Sequence, residues 1–143
     1  MKSGRYWAVE VPILDVASQG RSKADAFVMI ADAIESLVDR PGFRIQVFPG
    51  AGGDFEVGAT DEAVLAALLL RRARRRSRLS LAEVAARLGS RSPNSYARYE
   101  QGKSVPSIRK LSRLYAAARG EWDIVITESR FKRPIIADMR PIL

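Results

Sequence analysis

Leu79-Ser-Leu-Ala-Glu-Val-Ala-Ala-Arg-Leu-Gly89, continued by Ser92-Pro-Asn-Ser-Tyr-Ala-Arg-Tyr-Glu-Gln-Gly-Lys103 and Pro106-Ser-Ile-Arg-Lys-Leu-Ser-Arg-Leu-Tyr115, decides how the chain folds. Each segment carries a start signal. Ser80 and Glu83 stand in the capping-box relation: the hydroxyl accepts from the Glu83 backbone N–H, and the carboxylate reaches back. Ser92 before Pro93 reads as an N-cap followed by proline at the first helical position, where a missing N–H costs nothing. Pro106 is expected to open the last helix in the same way. Gly89 and Gly102 are expected stops, because glycine enters the left-handed conformation without a Cβ penalty.

Short helices separated by a glycine-closed turn make a helix-turn-helix pattern. Leu81, Val84, Ala85 and Leu88 form the expected buried stripe of the first helix. Tyr96 and Tyr99 point inward from the second, which leaves Asn94, Ser95 and Arg98 outward. With the tetrad Glu100-Gln-Gly-Lys103, the stretch resembles the Cro/repressor-type (Xre-family) DNA-binding domain. That resemblance implies an all-α, lambda-repressor-like fold and base contacts from Asn94 and Ser95. One extra residue follows Gly89, and Ser92-Pro-Asn94 replaces the family's commoner Ser-Arg-Ser, so a wider turn is expected. Chemically, Asn94 can pair bidentately with adenine, Ser95 can donate or accept at several bases, and Arg98 reaches guanine or a phosphate.

Upstream, Thr60 is the expected N-cap of a helix from about Asp61 to Ser77, with Asp61 and Glu62 at the positive end of its dipole. Val64, Leu65, Leu68 and Leu69 would be buried. The helix ends in Arg71-Arg-Ala-Arg-Arg-Arg76, then Arg78. Arginines in a last turn suit the dipole, but six in eight residues exceed that need. Arg72, Arg75, Arg76, Arg78 and Arg91, with Ser92 and Lys103, are the candidate phosphate contacts on double-stranded DNA.

The 143 residues fit one medium domain or two small ones. Charge divides unevenly: residues 1–60 carry 6 Lys/Arg against 8 Asp/Glu, net −2, and residues 61–143 carry 18 against 8, net +10. Such asymmetry assigns one half to a polyanion and the other to a different task. Cysteine and histidine are both absent, which excludes disulfides, thiolate chemistry, His triads and His metal sites. No apolar run is long enough to span a bilayer and no signal-peptide core stands at the start, so no membrane association and a cytoplasmic protein are expected.

The first 60 residues alternate strand and helix signals. Arg5–Val11 has period-2 alternation rich in aromatic and β-branched residues, and Val16–Gln19 is a weaker strand closed by Gly20. Ser22 with Asp25 caps a helix whose apolar face is Phe27, Ile30, Ala31, Ile34, Leu37 and Val38, ended by Pro41-Gly42. Phe43–Phe48 is a strand, Gly50–Asp54 a hairpin turn, and Phe55, Val57 and Ala59 alternate in the return strand. The expectation is ββαββ, one antiparallel sheet with a helix on its face.

Tyr6-Trp-Ala-Val-Glu-Val-Pro12, Ser18-Gln-Gly20 and the helix Ala24–Val38 resemble the HicB antitoxin family, although Pro12-Ile-Leu-Asp-Val-Ala17 replaces that family's usual loop. The resemblance implies an α+β, partial RNase H-like domain over residues 1–60 and a helix-turn-helix domain over 61–120. It also implies a small basic HicA-like toxin as partner, with repression of the shared promoter by the second domain. Trp7, Glu10, Asp15 and Asp54 are the candidate toxin contacts. The rival is a free-standing transcriptional repressor with a ligand-sensing or dimerising N-terminal domain. A two-metal nuclease needs converging carboxylates, whereas Glu10, Asp15, Asp25, Asp32, Glu35, Asp39 and Asp54 are dispersed, so no catalytic residue, metal or cofactor is expected.

Residues 121–143 form the third segment. Trp122-Asp-Ile-Val-Ile-Thr127 alternates as a short strand that needs an edge. Pairing with a second copy through Trp122, Ile124 and Ile126 would give a homodimer, or a higher homo-oligomer, matched to a palindromic operator. Its alternative is the chain's own N-terminal sheet. The tail Arg130–Leu143 is expected to be loosely ordered.

Overall fold

A computed structural model describes residues 2–120 and 135–136. Their contacts divide them into two units, residues 2–62 with 135–136, and residues 63–120. The first is a mixed α/β unit and the second is all-helical.

In the first unit the order is β1 (Lys2–Ser3), β2 (Tyr6–Val11), β3 (Val16–Gly20), α1 (Lys23–Val38), β4 (Ile45–Pro49) and β5 (Phe55–Ala59), with β6 (Ile135–Ile136) joining from far along the chain. The expected single sheet is two. One has the order β1-β2-β3 and the other β5-β4-β6, and every pairing is antiparallel. Alternation specifies which face of a strand is buried but not which strand lies beside it.

On β2 the alternation is realised: Val9 and Val11 are buried while Ala8 and Glu10 are exposed. Those valines share the core with Val16, Ile30, Ile34, Ile45 and Val47. The α1 cap is as expected, the Ser22 hydroxyl accepting from Asp25 N–H at 3.0 Å. The Asp25 carboxylate accepts in turn from Arg21 N–H at 2.9 Å. Glu35 Oε2 accepts from Ile45 N–H at 2.8 Å and so ties α1 to the start of β4. Thr60 does not serve mainly as a helix cap, because its hydroxyl accepts from Arg44 N–H at 3.0 Å and extends the β4–β5 hairpin.

The second unit holds α2 (Glu62–Arg76), α3 (Leu81–Arg87), α4 (Asn94–Glu100) and α5 (Ile108–Arg119). α3 and α4 are seven residues each, too short to persist alone, so packing has to hold them. Leu70, Ala73, Val84, Ala85, Tyr96, Leu114 and Ala118 supply one core, with Leu81, Leu88 and Tyr99 against its rim. The Ser80–Glu83 capping box is complete, with both bonds at 3.1 Å. The bonds from the Ser80 backbone and hydroxyl hold the Glu83 carboxyl below its ordinary pKa. α5 is capped by Ser107, whose hydroxyl accepts from Lys110 N–H at 3.1 Å, so Pro106 lies one residue outside the cap. A serine side chain satisfies an orphan helical N–H, which proline cannot do.

Gly20 lies where β3 meets α1. A Cβ there would stand 2.7 Å from both Ala26 Cα and the Asp25 carbonyl carbon, which are backbone atoms that cannot swing aside. Gly20→Ala should therefore destabilise this unit by about 1–3 kcal/mol, while the exposed Gln19→Ala leaves it nearly unchanged. Urea unfolding of the full chain checks this, and equal midpoints for the two variants would refute the contact.

Candidate nucleic-acid interface

One backbone device closes α2, α3 and α4. After α3, Gly89 (φ +81°) donates its N–H to Ala86 O at 2.9 Å, and Ser90 donates to Ala85 O at 2.9 Å. After α4, Gly102 (φ +72°) donates to Tyr99 O at 3.2 Å, and Lys103 to Arg98 O at 2.9 Å. These paired bonds are the Schellman motif, with glycine at the left-handed position as the sequence predicts. α2 ends identically, Arg78 N–H donating to Arg75 O at 3.0 Å and Leu79 N–H to Arg74 O at 3.2 Å, but its left-handed residue is Arg78 (φ +57°). An L-residue with a Cβ is disfavoured there by roughly 1–2 kcal/mol, so the arginine is a conformational choice against the backbone's preference.

The turn before α4 is closed by serines. Ser92 N–H donates to Ser90 Oγ at 3.2 Å, and the Ser95 hydroxyl lies 2.8 Å from Ser90 Oγ and donates to Ser92 O at 2.7 Å. The expected Ser92 cap is not formed. Pro93 already has helical torsions (φ −58°, ψ −30°) at a helix start without a side-chain cap, because the Ser90–Ser92–Ser95 cluster satisfies the turn instead. Tyr96 is fully buried and Tyr99 half-buried, while Asn94, Ser95 and Arg98 are exposed on the opposite face, as expected from the spacing. Arg98 Nε donates to Ser104 Oγ at 3.2 Å, which draws this side chain toward the loop after α4. Arg91, Ser92 and Lys103 are exposed beside them.

The arginine run is not uniform. Arg75, Arg76 and Arg78 are exposed and Arg72 half-buried, whereas Arg74 turns inward. Its guanidinium meets the buried Glu100 carboxylate in a two-pronged pair, Nε to Oε2 at 2.7 Å and Nη2 to Oε1 at 2.9 Å, and Nη1 donates to Leu79 O at 3.0 Å. The Glu100 bond raises the Arg74 pKa despite burial. Burial first, and Arg75 next, lower that of Arg71. The Tyr96 hydroxyl lies 3.4 Å from Leu70 O, and burial, then the Glu100 carboxylate, push its pKa upward, so the phenol stays neutral. The sequence presents Glu100 only as part of the Glu100–Lys103 tetrad and Arg74 only as one of the arginine run, and does not pair them. The available signal is that Glu100 follows Tyr96 by four residues and therefore falls on the buried helix face.

Of the candidate contacts in the first unit, Glu10 and Asp54 come together at one groove, while Trp7 and Asp15 do not line it. Trp122, Ile124 and Ile126, with the strand expected around them, lie outside the described residues. Among the described residues no helix is long and apolar enough to cross a membrane.

Glu100→Ala leaves the half-buried Arg74 guanidinium without its counter-ion and should destabilise the helical unit by about 2–3 kcal/mol. The double change Arg74→Leu/Glu100→Leu removes both charges and should cost much less. Urea titrations of the single and double variants measure this, and equal losses would mean that the pair does not hold α2 to α4.

A family described as a helix-turn-helix domain matches residues 65–120. No curated protein and no solved structure matches the chain. The matched span covers nearly all of α2 and runs to the residue after α5, and it contains the Arg74–Glu100 pair, the serine-closed turn and the exposed face of α4. Residues 65–120 are a helix-turn-helix domain, joined to a separate N-terminal α/β unit.

Proposed function

We propose that the chain is a sequence-specific DNA-binding transcriptional repressor. Its carrying observation is the two-sided α4, which buries Tyr96, Ala97 and Glu100 and presents Asn94, Ser95 and Arg98 to solvent. In this reading α4 enters the major groove, Asn94 reads adenine, and Ser95 and Arg98 contact neighbouring bases. Arg72, Arg75, Arg76, Arg78, Arg91, Ser92 and Lys103 hold phosphates on either side. Two copies on a palindromic operator place two such helices one turn apart.

The residue at the end of α2 supports the phosphate assignment. A glycine would relieve the left-handed Arg78, so an arginine there is explained by its side chain. Selection from random duplexes should enrich one motif. On that motif Asn94→Ala should cost roughly 1–3 kcal/mol and relax preference at one base position. Arg78→Gly should weaken specific and random DNA alike and lower the salt slope by about one, with folding stability unchanged or raised by up to about 1 kcal/mol. Fluorescence anisotropy across salt concentrations reads both, and uniform losses for Asn94→Ala would count against base reading.

A second reading is that the repressor is also an antitoxin of the HicB kind, with a partial RNase H-like N-terminal domain that masks a small, basic HicA-like toxin. The observation favouring it is charge, since residues 1–60 are net −2 while 61–143 are net +10. A mildly acidic unit suits a basic, RNA-binding partner. Growth arrest by the neighbouring small open reading frame, relieved by co-expression of this chain, is the expected outcome. A harmless neighbour leaves the plain repressor.

A further inference from the structure

The outer face of the β2–β3 ladder carries two alanines beside Glu10 and Gln19. Ala8 and Ala17 are exposed there, although alanine is a poor strand residue and nothing in the core requires it. Glu10 stands directly opposite Ala17 in the register, and Ser18 opposite Val9. The turn after β4 brings Asp54 and Phe55 to the same place. Together they line a groove of about 630 Å³. That volume is within the range of binding clefts, roughly 300–1,000 Å³. No lysine or arginine lines it, and both of its charged residues, Glu10 and Asp54, are acidic and exposed.

A second observation concerns the backbone. β3, which contributes Ala17 and Ser18 to the groove, is the last strand of its sheet. A terminal strand offers N–H and C=O groups to an incoming extended segment, and side chains alternating along that segment select for pockets. Acidic carboxylates and the half-buried Phe55 ring suit a guanidinium or ammonium group. We propose that this groove docks an extended, arginine- or lysine-bearing segment of a basic protein partner, which adds to the β3 edge and sets its cationic side chain between Glu10 and Asp54. The site does not depend on whether α4 reads DNA, and it gives the antitoxin reading a definite contact surface.

The test uses the isotope-labelled full chain and a short peptide alternating arginine and valine. Amide shifts are expected to concentrate in residues 8–10, 17–18 and 52–55. Glu10→Lys combined with Asp54→Lys should weaken binding about tenfold or more. Ala17→Trp, which fills the groove and keeps its charge, should weaken it similarly. Both changes fall at exposed positions, and unchanged spectra elsewhere verify the fold. Shifts spread over the surface, insensitivity to either variant, or equal response to free arginine amide would each overturn the proposal.

Discussion

Glu100 carries its carboxylate out of water at the C-terminal end of a seven-residue helix, where the helix dipole also disfavours negative charge. The guanidinium of Arg74 makes that position tenable, and the rest of the helical unit is arranged around the contact. Tyr96 lies one turn earlier on the same face with its hydroxyl at the Leu70 carbonyl, so α2 and α4 meet through a phenol and an ion pair within one turn of each other. Polar contacts of this kind are directional. A purely apolar seam would allow α4 to roll, whereas a two-pronged pair fixes its rotation and therefore which residues face outward.

The two units obtain their order differently. In the helical unit, local devices set where each helix begins and ends, and a small core with one buried ion pair sets how the helices lean. In the α/β unit, order comes from contacts distant in sequence: Glu35 reaching Ile45, Thr60 closing on Arg44, and β6 joining β4 from beyond residue 130. Gly20 adds a steric condition, since α1 approaches β3 more closely than any side chain would permit.

That difference explains what could be read from the sequence. The Ser80–Glu83 box, the Ser22 cap, the glycine stops and the two faces of α4 follow from neighbours a few residues apart, and the structure contains each of them. The partition into two sheets was hidden because strand alternation is blind to pairing. The Ser92 cap failed because three nearby serines compete for the same turn, and a sequence pattern cannot rank equivalent hydroxyls. Arg74 was indistinguishable from its neighbours until Glu100, 26 residues later, was placed beside it.

The division of labour within α4 bears on how such a protein changes over generations. Tyr96, Ala97 and Glu100 keep the helix in place, and Asn94 takes no part in that anchorage. Substitution at Asn94 is thus nearly free of folding consequences, and if that residue reads a base as proposed, a lineage can retarget the protein through it first. Ser95 and Arg98 have local ties to Ser90, Ser92 and Ser104, so their replacement perturbs the surrounding loops as well. Under the proposed assignment of base contacts, drift in operator preference is accordingly steepest at the start of the helix and slower toward its end.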